Sequence, residues 1–129
     1  MPNPHILALV SDLFFIPGIR SVAVHFNYTI QFVEKAIPKE EFDRLLVEQP
    51  PAIVIVDTNY QLVPWVEWVT ALKADAATQD IPVLAFGSHK DVALMKKAKQ
   101  AGSDTVVARS RFTAELPELL QKNLRLRNE

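Results

Sequence analysis

The sequence contains no cysteine. Disulfide cross-links, thiolate metal sites and cysteine nucleophiles are therefore excluded, and a reducing compartment suits the chain. Glycine is nearly as scarce, with 3 residues in 129. So few and scattered glycines cannot build a loop that cradles a nucleotide, and neither a P-loop nor a G-x-G-x-x-G fingerprint is present. The H-E-x-x-H metal spacing is missing too, and no hydroxyl or thiol nucleophile stands in a recognisable motif beside a histidine. Long apolar runs are also lacking. The first one covers only residues 6–10 and has no basic n-region before it, too little for a signal core or a membrane span, so a cytoplasmic protein is expected. Neither sign of charge dominates: 14 basic and 15 acidic side chains leave a formal net charge of -1. Without a charge excess there is no long-range pull toward phosphate backbones or anionic lipids, and neither nucleic acid nor membrane is an expected partner.

What the sequence does have is ordinary globular composition, 49% apolar and 22% charged, which supports a packed core. The length is that of one domain, expected to span residues 1–129. Short β-like runs alternate with segments of helical spacing, and no linker, repeat or low-complexity tract interrupts them. Ile6, Leu7, Ala8, Leu9 and Val10 form a continuous apolar run, as expected of a strand buried on both faces. Pro17 suits a helical first turn, and Ile19, Val22, Ala23 and Phe26 then fall on one stripe. Residues 28–32 alternate in polarity like an edge strand. Pro38 opens a second helix that buries Phe42, Leu45 and Leu46 and ends before Pro50 and Pro51.

Residues 52–56 form a central strand ending at Asp57. Pro64 opens a third helix with Trp65, Trp68, Val69 and Leu72 on one face; one of the two tryptophans is expected to exceed what a sheet face can cover. Residues 81–86 give a fourth strand. Ser88 to Asp91 fits a capping box, predicting that a fourth helix begins at Ser88, buries Leu94, Met95, Ala98 and Ala101, and stops at Gly102. Residues 105–108 make a fifth strand, and Phe112, Leu116, Leu119 and Leu120 trace a last helix whose start Pro117 blurs. Five such βα units predict a doubly wound α/β sandwich of three layers around a parallel sheet.

In that architecture chemistry belongs at the carboxyl ends of the strands. The residues there are Ser11 and Asp12, the segment after Phe32, Asp57 with Thr58 and Asn59, Gly87 with Ser88 and His89, and Arg109 with Ser110 and Arg111. Asp12 and Asp57 should converge if their strands are neighbours. Paired carboxylates and a backbone carbonyl, such as that of Asn59, suit Mg²⁺; the plain alternative is that each aspartate caps a turn. Arg109 can pair with a carboxylate or an oxyanion, whereas Arg111 is expected to point to water. Ser88 and His89 open a helix and could bind an anion there, although capping alone accounts for Ser88. His5 and His25 are expected to be structural or solvated.

The segments Ala52-Ile53-Val54-Ile55-Val56-Asp57, Ala71-Leu72-Lys73-Ala74-Asp75, Asp80-Ile81-Pro82-Val83-Leu84-Ala85 and Ala101-Gly102-Ser103-Asp104 together resemble the CheY-like receiver domains of bacterial response regulators. The resemblance implies the flavodoxin-like strand order 2-1-3-4-5. It also implies a phosphoryl-accepting role for Asp57, an Mg²⁺ site including Asp12, and a histidine kinase or downstream signalling protein as partner. Contact is expected through the last two helices and the fifth strand, a homodimer among the expected forms.

Several positions depart from the family pattern. Ser11 replaces an acid, Gly87 a hydroxyl residue, Arg109 a lysine, Ser110 a proline and Val106 an aromatic; Arg111 stands as an extra residue before Phe112. The expected function is therefore an atypical, pseudo-receiver module that signals by protein contact and is not an enzyme. In it Arg109 grips a carboxylate through its planar fork and holds one state without phosphate. Only residues 122–129 follow the last helix, so output is expected through a partner. The alternative is a flavodoxin-like binder or enzyme holding a small anion or nucleotide with Ser88, His89, Arg109 and Arg111.

Overall fold

The computed structural model describes the backbone of residues 3–128 and the side chains of residues 3–123. Among them five strands and five helices alternate: β1 (His5–Leu9), α1 (Ile16–His25), β2 (Thr29–Phe32), α2 (Lys39–Glu48), β3 (Ile53–Asp57), α3 (Trp65–Ala74), β4 (Val83–Gly87), α4 (Val92–Ala101), β5 (Thr105–Ala108) and α5 (Arg109–Asn128). All strand pairs are parallel, in the order β2-β1-β3-β4-β5. This is the predicted order, with the alternating strand β2 at one edge.

Because successive side chains on a strand point to opposite faces, the continuous apolar runs feed two cores. Ile6, Ala8, Ile53, Ile55, Leu84 and Phe86 meet Ile16, Ile19 and Ala23 of α1 and Phe112, Leu116, Leu119 and Leu120 of α5. Leu7, Leu9, Val54, Val56, Val83 and Ala85 face the other way, toward Phe42 and Leu46 of α2, the buried face of α3, and Ala98 and Ala101 of α4. The result is a helix–sheet–helix sandwich with three central strands buried on both sides.

Proline and glycine punctuate the chain as expected. Pro17 lies in the first turn of α1, and Pro38 and Pro64 are the N-caps of α2 and α3. Gly102 caps α4 in the left-handed region at φ 108°. Pro117 is tolerated because Glu115, at φ -121° and ψ 19°, interrupts the helical path of α5. The proline thus falls in the first turn of a new helical segment, where its missing amide hydrogen has little cost.

The structure corrects four local readings, the first being the end of the last helix: α5 runs on to Asn128, so residues 122–128 belong to it rather than follow it. Trp65 and Trp68 are both buried, at 5% and 6% exposure. Phe42 of α2 packs on Trp68 with centroids 4.7 Å apart, so a neighbouring helix supplies the cover that the sheet face lacks. The fourth helix begins at Val92, and the capping box does not form. Asp91 is the N-cap and accepts from the Leu94 amide at 3.1 Å, while Ser88 Oγ accepts from the Lys90 amide at 3.2 Å in a separate turn. Phe26 falls one residue past α1, half-buried and stacked on Tyr28.

Candidate functional site

Parallel strands ending at a common edge bring the predicted residues to one end of the sheet. Asp57 is the last residue of β3 and only 3% exposed. A tight turn follows: the Asn59 amide donates to Asp57 Oδ1 at 3.0 Å, and the Tyr60 amide donates to the Asp57 carbonyl at 2.9 Å. Tyr60 also donates its buried hydroxyl to the Val33 carbonyl at 2.7 Å, tying this turn to the end of β2; burial pushes its phenol up to about 12. Register pairs Leu9 with Val56, which places Asp12 just past the strand end beside Asp57.

Asp12 is exposed. Its Oδ1 accepts from the Phe14 amide at 2.9 Å, so it also orders its own loop, as the capping alternative foresaw. Burial raises the Asp57 carboxyl above its ordinary value; the Asn59 amide and the Arg109 charge pull it back, and Asp12 raises it further. The two carboxylates thus feel one another's charge. Among the described residues no group of three or more acidic, histidine or cysteine side chains gathers. Two neighbouring carboxylates are the donor type that Mg²⁺ takes, a cation that keeps several of its own waters.

Arg109 is the first residue of α5 rather than the last of the strand. Its guanidinium lies over the Phe15 ring at 5.8 Å, and its buried Nε has no hydrogen-bond partner. No ion pair joins it to Asp57 among the described residues, so the expected bidentate grip is not formed. The Phe15 ring offers a cation–π platform instead. Arg111 is exposed and paired with Glu115 at 3.3 Å, one helical turn on. Ser88 is engaged in its own turn and His89 is exposed. An open cleft of about 510 Å³ lies beside Arg109, lined by Asp12, Phe14, Phe15, Thr113 and Ala114 but by neither Ser88 nor His89. Of the four residues of the anion-binding alternative, this cleft gathers Arg109 alone. Ser11 is exposed at the strand end.

Three residues not singled out in the sequence, Leu13, Phe14 and Phe15, lie at this site, together with Thr58, which its strand-end position had already placed here. Phe15 packs edge-on to Phe86, which stacks on Phe112 at 3.9 Å, so an aromatic row runs from the Asp12 loop to α5. Phe14 and Leu13 are each 78% exposed beside Asp12. Thr58, next to Asp57, is 3% exposed and fills the space beside Gly87. The run Leu13-Phe14-Phe15 was a visible signal for an apolar loop; Thr58 was placed by its position after β3, but its contact with Gly87 gave no signal, because that neighbour is set by register.

No protein-family model matches the sequence, and no curated protein matches it. Solved structures do match in shape. The chain is similar to a CheY-like response regulator receiver domain protein from Methanospirillum hungatei, with TM-score 0.78 and 10% identity over 98% of this chain and 97% of that one. It is similar to the signal receiver domain of a signal transduction histidine kinase from Syntrophus aciditrophicus, with TM-score 0.79 and 16% identity over 95% and 91%. It is also similar to the chemotaxis response regulator CheY4 of Vibrio cholerae, with TM-score 0.75 and 14% identity over 94% and 98%. With five parallel strands in the order 2-1-3-4-5 and helices on both faces, this chain has the fold of the CheY-like receiver domains.

Proposed function

We propose that the chain, as one domain over residues 1–129, is an atypical receiver-type module of two-component signalling in which Asp57 accepts a phosphoryl group. Output runs by contact with a protein partner and not by an enzymatic activity of its own. The observation that carries this reading is the Asp57 carboxylate, buried at the end of β3 beside Asp12 and, among the described residues, not ion-paired with Arg109. A carboxylate locked by an arginine would be a poor nucleophile. Here the Asn59 amide holds Oδ1, and Oδ2 carries no hydrogen bond among the described residues.

In the reaction an Asp57 oxygen attacks the phosphorus of a phosphohistidine or acyl phosphate. A new P–O bond forms as the bond to the leaving group breaks, and the leaving group departs with the electron pair. Asp12, Asp57 and the Asn59 carbonyl would hold Mg²⁺, which when bound offsets the negative charge of donor and acceptor. Arg109 adds positive charge beside the same carboxylate. Partner contact, including contact between two copies, engages α4, β5 and α5, where β5 is the second edge of the sheet. No helix among the described residues is long and apolar enough to cross a membrane, and a cytoplasmic signalling role is the reading this supports.

Incubation with Mg²⁺ and acetyl phosphate, followed by intact-mass measurement, tests the proposal. One phosphoryl adduct is expected on the wild type and none on Asp57→Asn. An unmodified wild type, under conditions that label an ordinary receiver, overturns it.

A further inference from the structure

Gly87 is not required by backbone conformation, since the positive-φ glycine among the described residues is Gly102. Volume requires it. A Cβ on residue 87 would lie 2.0 Å from Thr58 Oγ1 and 3.1 Å from Thr58 Cβ. The Thr58 amide donates to the Phe86 carbonyl at 2.9 Å, extending the β3–β4 ladder by one residue and holding the Thr58 side chain over the end of β4. Thr58 is therefore a positioned residue, not a loop residue that happens to be near.

Its hydroxyl is also unsatisfied. Thr58 is 3% exposed, and its Oγ1 is buried without a hydrogen-bond partner. A threonine hydroxyl buried alone is costly, and a valine of the same shape would avoid the cost. The other buried, unpartnered donor at this end of the sheet is Arg109 Nε. Two unspent donors thus lie at the same end of the sheet as the carboxylate proposed to carry a phosphoryl group, whose oxygens are hydrogen-bond acceptors.

We propose that Thr58 supplies the hydroxyl that donates to a phosphoryl oxygen on Asp57, reaching it from β3 across the gap that Gly87 leaves. This rests on Asp57 being the acceptor. Thr58 keeps its proton and forms no covalent bond; it stabilises negative charge on the transferred group.

The test compares wild type, Thr58→Ser and Thr58→Val, with the rate of adduct formation from acetyl phosphate and Mg²⁺ read by intact mass. Thr58→Ser keeps the donor and should form adduct close to the wild-type rate. Thr58→Val keeps the shape and should be slower by about tenfold or more. Its denaturation curve, expected to be at least as stable as the wild type's, separates loss of the hydroxyl from loss of the fold. Equal rates for wild type and Thr58→Val overturn the role of Thr58 alone. A wild type that forms no adduct overturns the Asp57 reading beneath it.

Discussion

At the scale of single residues, the site holds groups whose costs can be measured. Removing the unpaired Thr58 hydroxyl should stabilise the protein: Thr58→Val is expected to gain about 1 kcal/mol in urea unfolding, the lower end of the cost of burying a lone hydroxyl. Gly87→Ser should lose about 1–3 kcal/mol by overpacking against Thr58, and much of that loss should vanish in a Thr58→Ala background. A double-mutant cycle reads this coupling directly. Asp57 gives a pH signature. Its carboxyl is raised above its unfolded value, mainly by burial, so the folded state holds the proton more tightly. That contribution is complete below the unfolded pKa and is lost as pH rises through the folded one. Asp57→Asn should therefore be more stable than wild type at neutral pH, and the gain should shrink on acidification. Asp12, Asp57, Gly87 and Arg109 were legible in the sequence because each stands where an apolar strand stops. The partners of Gly87 and Arg109 were not: Gly87 reads as a missing hydroxyl until register sets Thr58 beside it, and Arg109 reads as an ion-pair residue until Phe15 is seen beneath it.

At the scale of elements, the strongest sequence signals were chemical punctuation and periodicity. Prolines set the starts of α2 and α3 because a fixed φ and absent amide hydrogen suit a helix entrance. The stripes of α3 and α5 were legible because a helix against a sheet buries one side only. The start of α4 was not, since Ser88 and Asp91 are both good caps and a one-turn segment between them decides which is used. The segments carrying the family resemblance also hide a packing role. Lys73 Nζ donates to the Ile81 carbonyl and to Asp104 Oδ2, each at 2.7 Å, and Asp104 Oδ2 also accepts from the Val83 amide at 2.8 Å. These residues tie α3 to the entrances of β4 and β5, at the opposite end from Asp57. Gly102 sits against Lys73: an added Cβ would meet Lys73 Cγ at 2.9 Å, at a φ of +108°. Gly102→Ala is expected to cost about 1–2 kcal/mol from the left-handed backbone alone, measurable by denaturant unfolding with an unchanged m-value.

At the scale of the whole molecule, the sheet order does what no local feature can: it places β1 and β3 side by side, so that acids 45 positions apart share one end of the sheet. Folding therefore stores a repulsion between Asp12 and Asp57, the second of which is also stripped of water. A divalent cation held by Asp12 and Asp57 would relieve both costs in the native state and would have no such pair to bind in the unfolded chain. Ligand linkage then requires Mg²⁺ to raise stability, by about 1.4 kcal/mol at a free concentration near ten times Kd. Thermal melts in Mg²⁺ against a monovalent salt of equal ionic strength should show the rise in wild type, a smaller one in Asp12→Asn, and none in Asp57→Asn. The same rise should weaken as the solution is acidified, because a proton on the raised Asp57 carboxyl competes with the metal for its oxygens. A shift that is equal in all three proteins, or independent of pH, would show that Mg²⁺ acts elsewhere on the surface and that the two carboxylates do not form its site.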